Sequence, residues 1–187
     1  MPLFNSNSKL EILNQIKEIP FQLERQIQHL VEANLNTLLG LEFVKSEFTI
    51  SGSVQRLRID TLAFDRKNKA FVIIKYKQDK NFSVVDQGYA YLSAMLNNKA
   101  DFILEYNEAR NELLKRSSVD WSQSRVIFIS QGFTSYQKEA INFKDLPIAL
   151  WEIKIYSNQT ISFEEIRKLN ATESIKTISS KNSDVDA

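Results

Sequence analysis

Asp60, Lys75 and Lys77 are ionisable residues set inside runs that otherwise read as buried strand. In Ala70-Phe71-Val72-Ile73-Ile74 both faces are apolar, since Phe71 and Ile73 point one way and Val72 and Ile74 the other. Lys75 and Lys77 follow at once, on the continuation of the Phe71/Ile73 side. Ammonium groups there are costly to desolvate unless a partner charge or a ligand meets them. Asp60, which interrupts the preceding apolar run, is a charge of the right sign. The stretch therefore reads as a site. With no cysteine in the chain and His29 as its one histidine, thiolate chemistry, disulfides and a histidine-held zinc are excluded. Any metal must be held by oxygen ligands.

The elements that position these groups form a hairpin. Alternation gives strands over Leu57–Phe64 and Ala70–Lys77, joined by the polar turn Asp65-Arg66-Lys67-Asn68-Lys69. A further strand is expected over Glu42–Ile50, with Ser51-Gly52-Ser53 as the turn into the hairpin. Ahead of it, the apolar positions Leu23, Ile27, Leu30, Val31, Leu35 and Leu38 predict one helix from Pro20 to Leu39, ended by Gly40. Glu24, Gln28 and Glu32 follow one another at four-residue spacing along its flank. Residues 1–18 predict a strand or short helix docked on the body. After the hairpin, Ser83 caps a helix to about Asn98, whose packed face is Val84, Gly88, Tyr91, Leu92 and Met95. Gln87 and Tyr91 project from one side of it. A second helix over Glu105–Lys115, a buried strand over Arg125–Ser130, a short helix over Thr134–Ala140, and a hairpin of Ile148–Tyr156 with Thr160–Phe163 complete the folded part. From Asn170 the composition turns polar, so 169–187 is expected to be a disordered tail behind one domain of residues 1–168.

The hairpin resembles the core of the PD-(D/E)XK nuclease superfamily, in which one strand carries an Asp and the next carries Glu/Asp-x-Lys. Asp60 matches the first acid, Tyr76 the variable position and Lys77 the lysine. Lys75 departs from the pattern, which asks for an acid there. The resemblance implies an α/β, restriction-endonuclease-like fold, a mixed β-sheet flanked by helices in the order α-β-β-β-α-β. It implies a DNA endonuclease ancestry, with Mg²⁺ held by Asp60, the second acid and the Tyr76 carbonyl, and Lys77 positioning the attacking water. Glu32, by itself readable as an exposed helix acid, would on this resemblance be the accessory acid many such nucleases place on the first helix. Gln87 and Tyr91 match a Gln-x-x-x-Tyr element found after the lysine strand in some branches. The stretches at 46–48, 58–65, 86–92, 119–130 and 140–148 also resemble a group of bacterial proteins with such a domain at the N-terminus, often followed by a small second domain.

An ammonium within ~4 Å of a divalent ion costs on the order of 8 kcal/mol at an effective dielectric near 20, so Lys75 and Mg²⁺ do not share a site. Two arrangements remain open. Lys75 snorkels outward while Glu32, Glu47 or Asp79 supplies the second carboxylate, or Lys75 takes the metal's place against Asp60. The first is an active nuclease, the second a DNA-binding protein with weakened or lost catalysis; a protein-interaction domain is the third reading.

Net charge is +1, but Arg56 to Lys80 carries eight basic residues against three acids, a basic cluster that would steer DNA to the site, although Arg66, Lys67 and Lys69 also read simply as a solvated polar turn. Arg56, Arg58 and Lys80 are the expected DNA contacts. DNA is the expected partner and a homodimer is an open assembly. No run of ~18 apolar residues and no leader pattern is present, so the expectation is a cytoplasmic protein without membrane contact.

Overall fold

The computed structural model describes residues 2–50, 57–78 and 83–168. The expected turn at 51–53, Arg56, Asp79, Lys80 and the tail from residue 169 onward lie outside the described residues. The chain opens with β1 (Leu3–Ser6), β2 (Leu13–Ile16) and β3 (Glu18–Ile19), then α1 (Glu24–Ala33) and α2 (Leu35–Leu39). Next come β4 (Glu42–Ile50), β5 (Leu57–Asp65) and β6 (Ala70–Lys77), and the helices α3 (Val84–Asn97) and α4 (Lys99–Arg110). β7 (Arg125–Ser130), α5 (Ser135–Ala140), β8 (Ile148–Tyr156) and β9 (Ile161–Glu165) complete it.

The strand with two apolar faces is central. The main sheet runs β3-β8-β7-β6-β5-β4, with β9 on β8. β4, β5 and β6 are antiparallel neighbours, whereas β6, β7 and β8 are parallel, because α3 and α4 carry the chain across the sheet between β6 and β7. Phe71 and Ile73 pack into one apolar cluster with Phe128, Met95 and Phe102, while Val72, Ile74 and Tyr76 pack into another with Ile27 and Val31 of α1. The expected order α-β-β-β-α-β is present as α1, β4, β5, β6, α3 and β7.

Two helices depart from expectation. The predicted helix from Pro20 is shorter and broken: it starts at Glu24 and stops at Asn34, where the backbone leaves helical geometry (φ −126°, ψ 23°). The Gln26 side chain accepts from the N–H groups of Gln22 and Leu23, and Phe21 is held by Gln131 through hydrogen bonds of 2.7 and 3.1 Å, so the Pro20 segment is tied to the body instead of coiling. Asn34 Nδ2 bonds the Leu30 carbonyl at 2.8 Å, a side chain competing with the backbone ladder. Gly40 does end α2, in the left-handed conformation (φ 65°). The second helix begins at Lys99 and not Glu105, separated from α3 by Asn98 alone, and Asn111 ends it with φ 50°. The expected strand or short helix at the start is instead the β1–β2 hairpin followed by β3.

Candidate functional site

The site lies where β5 and β6 part. Their ladder runs from Asp65↔Ala70 to Thr61↔Ile74 and ends there, although β5 continues back along β4 to Leu57 and β6 continues along β7 to Lys77. The sheet therefore splits between two strands that remain paired on their other sides. Backbone groups facing the split need partners, and polar side chains supply them. Tyr76 N–H donates to Asp60 Oδ2 at 3.1 Å. Lys75 Nζ donates to Asp60 Oδ1 and, at 3.1 Å, to the carbonyl of Arg58. Tyr91 OH, from α3, donates to the same carbonyl at 3.1 Å, and its ring lies 5.2 Å from Lys75 Nζ. The pair is enclosed: the Lys75 and Asp60 side chains are 8% and 13% exposed.

Glu32 belongs to the other face of the sheet. Its Oε1 accepts from Thr61 Oγ1 at 2.6 Å and from Gln28 Nε2 at 3.0 Å. Gln28 Nε2 also lies 3.0 Å from Ser46 Oγ and 3.1 Å from the Asp60 carbonyl, linking α1 to the strand that carries the site. Since the single Thr61 proton goes to Glu32, Tyr76 OH donates to Thr61 Oγ1 at 3.0 Å. Burial, and then the neighbouring carboxylates of Glu32 and Asp60, raise the Tyr76 hydroxyl well above its ordinary range, so it stays a neutral donor.

Asp60 and Tyr91 thus meet at the Lys75 ammonium, which bonds the Asp60 carboxylate and shares the Arg58 carbonyl with Tyr91. Lys77, half-buried, stands one pleat further along β6 on the Lys75 side, and Gln87 stands half-exposed one turn before Tyr91 on α3. Tyr76 contributes its amide to Asp60 while its ring is buried on the α1 side. Glu32 is committed to Thr61 and Gln28. Glu47, an exposed residue with φ 52°, lies 3.8 Å from the exposed Arg58. The sequence reading missed Thr61, Ser46 and the Arg58 carbonyl. Thr61, a polar residue fully buried within an apolar run, carried a signal; a backbone acceptor carries none.

This donor set does not fit Mg²⁺. Both Asp60 oxygens are taken by donors, one of them a cation, and the described residues hold no group of three acids or histidines placed to bind a metal. A hard cation needs free oxygen ligands, and the ammonium stands among them.

The basic run seen in the sequence also divides. Arg58, Lys75 and Lys77 sit at the split, whereas Arg66, Lys67 and Lys69 lie in the turn at the far end of the hairpin, roughly 25 Å away at strand rise. Arg66 is engaged there by Glu42 at 2.7 Å and Glu112 at 3.0 Å.

A mixed sheet flanked by helices, with this element order, defines a restriction-endonuclease-like α/β fold. No family model matches the chain. It is 52% identical over 174 residues to an uncharacterized protein of Haemophilus influenzae, an alignment covering 93% of this chain and 56% of that protein. The chain thus spans little more than half the length of that relative. Among solved structures, it is similar to a repair endonuclease from Pyrococcus abyssi (16% identity, 73% of this chain and 50% of the other, TM-score 0.38). An EndoMS–dsDNA complex gives 14% identity over 73% and 47%, with TM-score 0.38. A fdxN element excision controlling factor protein from Anabaena variabilis gives 12% over 76% and 100%, with TM-score 0.35. Values this low say nothing about the site. No helix among the described residues is long and apolar enough to cross a membrane.

Proposed function

We propose that residues 1–168 form a nuclease-like DNA-binding domain of PD-(D/E)XK ancestry, in which the Lys75 ammonium replaces the metal ion. The observation that carries this reading is the closed set of contacts around Asp60: Lys75 Nζ on one oxygen, Tyr76 N–H on the other, and the Arg58 carbonyl shared by Lys75 and Tyr91. The motif aspartate then serves as an internal counter-ion. It orients the end of the hairpin and activates no water. Support for DNA as the partner comes from the basic residues at that end. Arg58 and Lys77 flank the split, and Arg56 and Lys80 adjoin them in sequence. With Lys75 neutralised by Asp60, these four supply the charge that would meet phosphates.

The test is duplex binding followed across salt concentration, alongside incubation of plasmid with Mg²⁺. Log affinity should fall with log salt at about 0.9 per phosphate neutralised. Plasmid should stay supercoiled. Absence of binding at low salt would favour a protein-interaction domain, and Mg²⁺-dependent nicking lost in Asp60→Asn would overturn the replacement of the metal.

A further inference from the structure

The polar stripe of α1 holds both banks of the split between β5 and β6. On the β6 bank, Tyr76 and Gln78 are two residues apart, about 7 Å at strand rise, and each N–H that β5 leaves unpaired meets a carboxylate. Tyr76 N–H donates to Asp60 Oδ2 at 3.1 Å, and Gln78 N–H, just past the end of the strand, donates to Glu24 Oε1 at 2.9 Å. Gln78 is held twice, because its Nε2 also donates to the Gln22 carbonyl at 2.8 Å. On the β5 bank, Gln28 Nε2 lies 3.1 Å from the Asp60 carbonyl, and Glu32 Oε1 accepts from Thr61 Oγ1 at 2.6 Å. Glu24, Gln28 and Glu32 thus divide between the banks.

The helix that carries them is itself fixed. Ile27 and Val31 are buried in the cluster with Val72, Ile74 and Tyr76. Ahead of the helix, Phe21 N–H donates to Gln131 Oε1 at 2.7 Å and Gln131 Nε2 donates back to the Phe21 carbonyl at 3.1 Å, which ties the entry of α1 to the end of β7. A helix seated in this way sets the distance between whatever it grips. Arg58 stands two residues before Asp60 on one bank and Lys77 one residue before Gln78 on the other. Two cations held at a fixed separation meet a polyanion with less ordering still to be done. Glu24 adds a negative charge next to Lys77 in sequence, which by itself opposes a phosphate. Its contribution is therefore the hydrogen bond and not the charge.

We propose that α1 acts as a ruler for the DNA-binding surface, with Glu24 as the positioning residue that fixes the Lys77 bank against the Arg58 bank held by Gln28 and Glu32. The inference rests on the DNA-binding reading above. Glu24 is exposed, so its replacement leaves the core intact. Glu24→Gln and Glu24→Ala remove the same charge, but only glutamine keeps an oxygen that can accept from Gln78 N–H. In a titration of labelled duplex DNA at low salt, Glu24→Gln should bind about fivefold more tightly than Glu24→Ala, the net worth of one hydrogen bond. Gln78→Ala, which drops the bond to the Gln22 carbonyl, should weaken binding relative to the wild type. The difference between Glu24→Gln and Glu24→Ala should vanish when either Lys77→Met or Arg58→Met is added, since a separation matters only to a pair. Equal affinities of the two Glu24 variants, with the wild type bound, would overturn the ruler and leave DNA binding standing. A difference that persists in both methionine backgrounds would overturn it in favour of a general effect on stability. No wild-type binding at low salt would overturn the DNA-binding reading and this inference with it.

Discussion

Lys75 Nζ and Asp60 Oδ1 form an ion pair across the gap that opens between β5 and β6, and both side chains are nearly enclosed. Neither partner can be removed without stranding the other. Lys75→Met keeps the length and apolar stem of the side chain and leaves the Asp60 carboxylate facing only the Tyr76 amide. We expect a loss of about 3–5 kcal/mol in denaturant unfolding. Combining it with Asp60→Asn should cost clearly less than the two single losses added together, and simple additivity would mean that the two groups do not couple.

Behind the pair, the chain Tyr76 OH to Thr61 Oγ1 to Glu32 Oε1 is a second test of the site's framework. Thr61→Val removes the hydroxyl with little change of shape and leaves a buried tyrosine donor without an acceptor. The expected cost is about 1–3 kcal/mol. Adding Tyr76→Phe should restore part of it, since replacing both partners removes the unsatisfied group. A double variant as unstable as the sum of its parts would assign Thr61 a packing role only.

Much of this framework was legible in the residues. Glu42–Ile50 and Arg125–Ser130 follow from their apolar patterning, and Ser83 caps α3 by accepting from Asp86 N–H, as its spacing to Asp86 implies. The helix break at Asn34 was not legible, because the apolar stripe continues through it. What ends α1 is one side chain bonding one carbonyl. The basic run divides for a related reason, with Arg66, Lys67 and Lys69 in the polar turn. Adjacency in sequence became separation in space once the hairpin folded its turn away from its open end, and Arg66 found acids contributed by Glu42 and Glu112. The parting of β5 and β6 depends on where a ladder stops, which alternation does not encode.

Acid sensitivity should come from the turn of the same hairpin. Burial works against the Asp65 carboxylate, but Asn68, through its amide and side chain, and Arg125 at 2.9 Å together hold its pKa below the ordinary value. A folded pKa below the unfolded one stabilises the protein above the unfolded value, about 3.9. That stabilisation is lost as pH falls through the lower folded value. Unfolding measured between pH 6 and pH 2 should therefore show a steeper loss below about pH 4 in the wild type than in Asp65→Asn. Parallel curves would assign the acid transition to other carboxylates.

α3 approaches the sheet at Gly88. A Cβ there would lie 2.9 Å from Ile148 Cγ1 and closer still to Ile148 Cδ1, in a core where Ile148 is 2% exposed. Gly88→Ala gains about 1 kcal/mol of helix propensity but forces Ile148 aside at a typical cost of 1–3 kcal/mol. The net should be a modest loss of stability. It should shrink when Ile148→Val removes the Cδ1 atom, and an undiminished loss in the double variant would locate the clash elsewhere.

Lys75→Glu is the change that addresses the ancestry of the site. It would place a carboxylate where the ammonium now stands, beside Asp60 and the Tyr76 carbonyl, and would free Asp60 Oδ1. In the wild type, Mg²⁺ or Mn²⁺ should leave the melting temperature unchanged, since the donors around Asp60 have no oxygen to give. In Lys75→Glu without metal, two carboxylates face each other in a nearly enclosed gap, so the variant should melt lower than the wild type. Divalent cations should then raise its melting temperature in proportion to the logarithm of their concentration above Kd, the signature of a ligand that binds only the folded state. Asp60→Asn in the same background should remove that rise. A wild type already stabilised by Mg²⁺ would mean that Lys75 does not stand in for the cation. A folded Lys75→Glu variant indifferent to metal would mean that the split between β5 and β6 has closed around its ion pair and no longer has the geometry of a metal site.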